Sequence, residues 1–507
     1  MNNTDPLSID PNFQQRLAAN PEASVWVSAS AGTGKTKVLT DRVLSLLLTG
    51  TKPQRILCLT FTRAAAAEME SRIADQLGQW TMAEEGQLKS KLSNLLGHPP
   101  DHKSVQRARQ LFAHVLDTPG GMNIQTIHAF CQSLLGRFPL EAQVPPHFAL
   151  MDERDAEEML ITARENLLNQ ARSGSDQVLS NALAVVTSHI HETNFPDLLA
   201  KLTSERGRLR RLIERHGSIE TVVEKLQSML SVKPDETPDS VLTKEAESGI
   251  FDDSGLRSAI SALHEGNEND ALRGQRIQRW IENPTCNKDA FFDYALIFLT
   301  DFTKGPFNVR KTLITKPALK KSPGALAILE KEGRRLEHTI IHWRSVTIAE
   351  STASILVLGD ALLKNYQKQK KAKALLDYDD LILLAGKLLH LEGVAPWVLF
   401  KLDGGIDHVL VDEAQDTNQD QWRVIEALAQ EFFVGLSAHE TPPTMFAVGD
   451  VKQSIYSFQG ADPITFGQMR DLFAGRAKDA EQVWRPVSLS VSFRSTKAVL
   501  SAVDAVF

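Results

Sequence analysis

A chain of 507 residues, 42% hydrophobic and 23% charged, is too long for one ordinary core and too apolar for a disordered polymer, so several globular domains are expected. Its formal net charge of −7, from 56 basic and 63 acidic residues, excludes a general polycation, and any nucleic-acid contact must come from a local groove. Cys58, Cys131 and Cys286 lie far apart without metal-type spacing, which fits a reducing compartment with neither a disulfide framework nor a zinc site. The N-terminus from Met1 to Asn12 is polar. No run approaches the roughly 18 apolar residues of a bilayer span, and the expected location is the cytoplasm.

In chain order, Phe13 to Ala19 reads as a short helix in which Gln15 is either a surface glutamine or an amide presented to a base edge, since adenine needs both a donor and an acceptor. Next, the apolar Val25-Trp-Val27 feeds Ala29-Ser30-Ala31-Gly32-Thr33-Gly34-Lys35-Thr36, and Val38-Leu39 open a helix behind it. Such a strand, glycine-rich turn and helix directs backbone N–H groups at a phosphate, with Lys35 as a point charge and Thr36 as a hydroxyl for magnesium. Ala29 stands where the usual pattern has glycine. A second strand, turn and helix runs from Arg55 to Met69 and places Thr60, Phe61, Thr62 and Arg63 at the strand's carboxyl end, where open parallel sheets bind ligands. Phe61 suits base stacking and Thr62 a phosphate, or the two are a core phenylalanine and a helix cap. A third unit, Asn123 to Cys131, brings Thr126 and His128 to the same edge.

From about Met151 to Leu375 the chain becomes long, charged and helix-compatible, which predicts a mainly helical insertion. Its basic clusters, Arg206 to Arg215, Arg310 to Lys321 and Lys364 to Lys373, read as solvated helix faces ahead of DNA contacts. Leu375 to Leu384 is an acidic start to an apolar helix. The strand Ile406 to Val411 then ends in Asp412 and Glu413, the pair a phosphate-loop ATPase needs: one carboxylate for magnesium, the next for the attacking water. After the strand Thr444 to Asp450, Gln453 is placed to sense a terminal phosphate, and Tyr456 and Phe458 are aromatic candidates for a strand-tracking groove. Pro486 to Thr496 reads as another strand entering a helix.

Six segments in this order, Ala29 to Thr36, Leu59 to Ala65, Thr126 to Phe130, Val411 to Asp416, Gly449 to Tyr456 and Ser492 to Ser495, resemble the motifs of the superfamily 1 helicases of the UvrD/Rep group. Trp26 to Thr36 and the long insertion before Asp412 look most like the AddA family of helicase-nuclease subunits, especially its alphaproteobacterial form. The resemblance implies that Gln15 reads adenine, that Lys35 and Thr36 hold phosphates and magnesium, that Asp412 and Glu413 perform ATP hydrolysis, and that Gln453 couples the γ-phosphate to movement. It also implies that Phe493 stacks on adenine and Arg494 reaches the γ-phosphate. Phe61, Thr62, Arg63, Thr126, His128, Tyr456 and Phe458 fall where relatives contact single-stranded DNA. Gln459 stands where the family commonly has arginine.

The expected fold is α/β: a RecA-like parallel sheet formed by residues 1–150 and 375–487, interrupted by the helical insertion 151–374, with 488–507 beginning a second motor domain. The implied activity is ATP-dependent, 3′ to 5′ DNA unwinding in double-strand-break repair, with ATP and Mg²⁺ as cofactors and, as partners, DNA and an AddB-like subunit. Since Phe507 falls within an apolar helical stretch, an N-terminal fragment lacking a nuclease domain is expected. The rival readings are a nucleotide-dependent DNA-binding or regulatory module without unwinding activity and a phosphate-loop kinase or metabolic ATPase. The acidic pair and the Gly449 to Tyr456 segment argue together against the kinase.

Overall fold

The apolar runs that alternate with glycine-rich or hydroxyl-rich turns all become strands of one sheet. The structure, a computed structural model, describes residues 11–247, 249–402, 405–433, 442–454, 463–496, 498–499 and 501–502. Strands β1 (Ser24–Ala29), β2 (Ile56–Thr60), β3 (Asn123–Thr126), β4 (His408–Val411), β5 (Thr444–Gly449) and β6 (Trp484–Leu489) lie in the order β3-β2-β4-β5-β1-β6. Every pairing is parallel, with Val27 opposite Val448 and Val487, and Leu59 opposite Val411. The inner strands β2, β4 and β5 are buried along their whole length, which is why their runs are mostly apolar, whereas the edge strands β3 and β6 carry polar residues such as Gln125 and Ser488.

Each strand divides its side chains between two cores. Val25, Val27, Cys58, Leu410, Phe446 and Val448 pack on one face against α2 (Lys35–Thr49) and α3 (Arg63–Met82). Trp26, Leu57, Leu59, Val409, Val411 and Ala447 pack on the other against α4 (Ile127–Arg137), α5 (Tyr378–Leu388), α6 (Gln419–Ala429) and α7 (Pro463–Asp479). Trp26 centres the second core: its ring stacks on Trp422 at 5.7 Å and meets Phe466 at 4.7 Å and Trp484 at 6.3 Å. The strand β6 belongs to this first sheet and runs on to Leu489, two residues past the boundary expected at 487.

The chain divides into two compact units, Met1–Asp152 with Lys373–Phe507, and Glu153–Ala372. The second unit is mainly helical, with a core that includes Phe291, Tyr294, Phe298, Leu329 and Leu336. Its spine is the 48-residue helix Ala325–Ala372. By length and composition alone this helix would pass as a membrane span, although charged residues such as Glu350 and Asp360 interrupt its apolar text. Its buried residues recur at helical spacing, among them Leu329, Leu336, Ile340 and Leu362, and it packs against the unit's other helices, as the spine of a bundle does. Inside that unit Arg335 donates to Glu332 and Glu245, and Tyr294 Oη donates to Glu332 at 2.7 Å.

Truncating the central tryptophan empties space that neighbouring rings cannot refill. Trp26→Ala is expected to lower stability by about 3–5 kcal/mol, read as a fall in the denaturant midpoint without a change in slope.

Candidate functional site

Ligand-bearing turns collect at the carboxyl edge of the parallel sheet, because each strand there hands its last residue to a loop or helix start. The turn after β1 closes through Thr33, whose Oγ1 donates to the Ser30 carbonyl at 2.8 Å. Gly32 and Gly34 take φ of +76° and +88°, backbone that side-chain-bearing residues rarely adopt. Gly34 then caps α2, so Lys35 and Thr36 form its first turn. Ala29 is the buried end of β1, while Ser30 and Ala31 are exposed on the loop. A helix N-terminus with unpaired N–H groups and a positive end suits a polyphosphate.

Lys35 reaches out of this loop to two other strand ends. Its Nζ donates to Glu413 Oε2 at 2.8 Å and to Gln453 Oε1 at 3.1 Å. Glu413 follows β4 with φ +47°, a left-handed conformation costing a non-glycine residue about 1–2 kcal/mol. Gln415 ties the corner together, donating from Nε2 to Glu413 Oε2 at 2.8 Å and to Asp416 Oδ2 at 3.1 Å, and accepting at Oε1 from the Asp450 N–H at 2.8 Å. A Cβ at Gly449 would stand 2.6 Å from that Oε1, so only glycine lets β5 end against Gln415. Asp412 is buried beside Glu413, and burial, with the neighbouring carboxylate, pushes its pKa up to about 6. Burial, then Asp412, likewise pushes the Cys58 thiol up to about 12. A buried carboxylate held in that state fits a divalent cation, and with Thr36 and the loop N–H groups the residues present fit magnesium and a nucleotide.

Gln15 is buried on α1 (Pro11–Ala19) against the back of the loop. Its Nε2 donates to the Thr33 carbonyl at 3.3 Å, and its Oε1 accepts from Lys37 Nζ at 3.0 Å. An amide offers two donor hydrogens and two acceptor lone pairs, so each end keeps one further bond to give. Phe493 donates its N–H to the Gly32 carbonyl at 2.8 Å while its ring stays exposed, and an ideal Cβ on Gly32 would sit 2.7 Å from Arg494 Cβ. Both residues therefore lie over the phosphate loop.

A second cleft, about 170 Å³, lies at the ends of β2 and β3 and is lined by Phe61, Arg63, Thr126, His128, Gln132 and Tyr378. Thr62 and Thr126 cap α3 and α4, accepting from Ala65 N–H at 3.1 Å and Ala129 N–H at 3.2 Å. The helix-cap reading of Thr62 is thus realised, at a helix N-terminus that still faces solvent. His128 meets the Tyr378 ring edge-on at 5.5 Å, and burial lowers its pKa below the ordinary histidine value. Tyr456, Phe458 and Gln459 lie outside the described residues.

The chain matches the UvrD/REP helicase N-terminal domain family over residues 11–287 and 347–474. It belongs to that family. Among curated relatives, the AddA subunit of the ATP-dependent helicase/nuclease of Lactobacillus helveticus is 27% identical over 98% of this chain and 40% of its own length. Those of Listeria monocytogenes and Levilactobacillus brevis are 25% and 28% identical, each over 96% of this chain and 38% and 37% of their own lengths. The chain thus spans about two fifths of the relatives it matches.

In this UvrD/Rep-type domain, Tyr378 and Gln415 are the site residues that sequence reasoning missed. Tyr378 is the first residue of α5, exposed beside the Asp377–Asp380 capping box. The spacing of the two aspartates was the available signal, since it announces a helix start with an aromatic at its mouth.

The burial of Asp412 has a measurable sign. A carboxyl whose pKa rises on folding binds more protons when folded, so stability falls as pH rises from about 4 through about 6. Asp412→Asn is expected to raise the stability of the magnesium-free chain at pH 7.5 by up to about 3 kcal/mol. That gain should shrink toward pH 4 in pH-dependent denaturant melts.

Proposed function

We propose that this chain is the ATP-hydrolysing first motor domain of a DNA helicase acting in double-strand-break repair and recombination, as part of a helicase-nuclease. The observation that carries the reading is the meeting of Lys35, Glu413 and Gln453 within 3.1 Å, although 378 and 418 residues separate the lysine from its partners. Three strand ends that converge on one ammonium make a centre able to register a phosphate and relay its presence. The relatives' printed function and the family match support the same reading.

In the proposed reaction Lys35 leaves Glu413 for the β- and γ-phosphates of ATP, and Glu413 turns to the attacking water. The water oxygen bonds to the γ-phosphorus in line, the bond to the β-phosphate bridging oxygen breaks, ADP keeps the electron pair, and Glu413 takes the water proton. A magnesium ion held by Thr36 and Asp412 would supply positive charge to the phosphate oxygens. Gln15 is assigned to adenine, Phe493 to stacking on it, and Arg494 to the γ-phosphate. Gln453, which accepts a hydrogen bond from Lys35, is assigned the coupling of phosphate state to DNA grip. Single-stranded DNA is assigned to the cleft of Phe61, Arg63, Thr126, His128 and Tyr378, where rings stack on bases and the arginine and helix N-termini meet phosphates. Thr62 belongs with them, and so do Tyr456 and Phe458 from the sequence reading. The direction proposed is 3′ to 5′, with an AddB-like partner subunit. The three free cysteines support a cytoplasmic setting.

The test is ATP hydrolysis by the chain with and without single-stranded DNA. Lys35→Ala should abolish nucleotide binding, and Glu413→Gln should lower turnover at least 100-fold. Tyr378→Ala should weaken DNA stimulation by about 1–3 kcal/mol of DNA affinity while leaving DNA-free turnover unchanged. Phosphate transfer to a small molecule, indifferent to DNA, would overturn the reading.

A further inference from the structure

The least expected charge in the nucleotide-binding unit is Arg42, two turns along α2 from Lys35 and fully buried. Its guanidinium donates to the carbonyls of Ala18 at 3.3 Å, Asn20 at 2.5 Å and Ala23 at 2.6 Å, and to Thr444 Oγ1 at 2.9 Å. The group also stands 5.2 Å from the Phe446 ring centroid, and its Nε has no partner. Every acceptor is neutral, so among the described residues no carboxylate offsets the cost of burying the charge. Burial accordingly pulls its pKa down to about 9.

An apolar side chain of similar size would fill this space without that cost. What it could not do is hold three backbone carbonyls in fixed directions. The Ala18 carbonyl belongs to the last turn of α1, where a helix leaves such groups without intrahelical partners, and the Asn20 and Ala23 carbonyls belong to the turn leading to β1. Three residues before Ala18 on α1 stands Gln15, and its amide is fastened to the phosphate loop and to Lys37, again on α2. The helix that presents Lys35 and Thr36 therefore grips α1 at two points, Lys37 at the glutamine and Arg42 at the far end. Through Thr444 the second grip extends to β5, the strand that leads to Gln453.

We propose that Arg42 is a positioning residue for base recognition: it fixes α1 on α2 so that Gln15 stands at a set distance from the phosphate loop. The proposal rests on the ATP reading above and adds to it a buried residue that touches neither nucleotide nor metal. A lysine at this position keeps the charge but, as a single point donor, cannot span the four acceptors.

The experiment is equilibrium binding of ATP and of purine riboside triphosphate, which lacks the exocyclic amine, to the intact chain, Gln15→Ala, Arg42→Lys and the double variant. Hydrogen exchange of residues 11–23 is followed without nucleotide. The wild-type chain should prefer ATP about tenfold, one base hydrogen bond. Arg42→Lys should lose most of that preference, keep its affinity for inorganic triphosphate, exchange faster across 11–23, and lose nothing more when Gln15→Ala is added. A folded Arg42→Lys that keeps the preference while Gln15→Ala loses it would overturn the proposal. If Gln15→Ala keeps the preference, or the wild-type chain binds no ATP, the nucleotide reading fails instead. Exchange then bears only on the fastening of α1 by Arg42, and its role in base recognition is overturned with that reading, whether protection of 11–23 changes or not. Should Arg42→Lys not fold, Thr444→Val, which removes one acceptor and leaves the arginine, carries the test. A roughly threefold loss of preference there supports the proposal, and none overturns it.

Discussion

Lys35 draws three strand ends onto one charge. Its ammonium, mostly buried, is satisfied by Glu413 after β4 and Gln453 after β5, and its backbone opens α2 directly behind the turn after β1. An ammonium in that position needs acceptors, and the carboxylate and amide that serve it here are the groups assigned to other work once a phosphate arrives. Glu413 pays for its place with left-handed backbone, and Gln415 keeps it there by bonding Glu413, Asp416 and the Asp450 N–H together.

This arrangement depends on the sheet beneath it. Only parallel strands bring so many carboxyl ends to one edge, and only a sheet covered on both faces keeps them rigid. The aromatic cluster around Trp26 and the aliphatic packing of α2 and α3 supply that cover from opposite sides. Asp412 records the other side of the same design, a carboxylate kept in a buried position that disfavours its charge, at a cost in stability that a bound cation would offset.

Much of this was legible in the amino-acid sequence, because phosphate-loop chemistry is local. Ala29 to Thr36 carries its own turn, helix start and charge within eight positions, and Asp412 with Glu413 directly follows an apolar strand. The strand edges that place Phe61, Thr126 and His128 were legible for the same reason. Strand order was not, since β1 pairs with β5 and β6, both more than 400 positions later, and nothing in either run names its neighbour. The boundary expected at 487 fell inside β6 for that reason. Tyr378 escaped because a cleft is formed by elements far apart in sequence, and Arg42 because an arginine on an amphipathic helix ordinarily reads as solvated. Its burial follows from carbonyls at the end of α1 and in the turn to β1, and from a threonine 402 positions away.

The pairing of Lys35 with Glu413 makes one demand that no other feature of the site makes. Because Glu413 is ion-paired to Lys35, the proposed ATP must compete with Glu413 for the lysine, and removing the carboxylate's charge must help ATP bind. The direct measurement is the dissociation constant of ATP for the wild-type chain and for Glu413→Gln under identical magnesium and salt. About tenfold tighter binding by Glu413→Gln is the expected result. Equal or weaker binding would contradict the view that Glu413 and a nucleotide phosphate share Lys35.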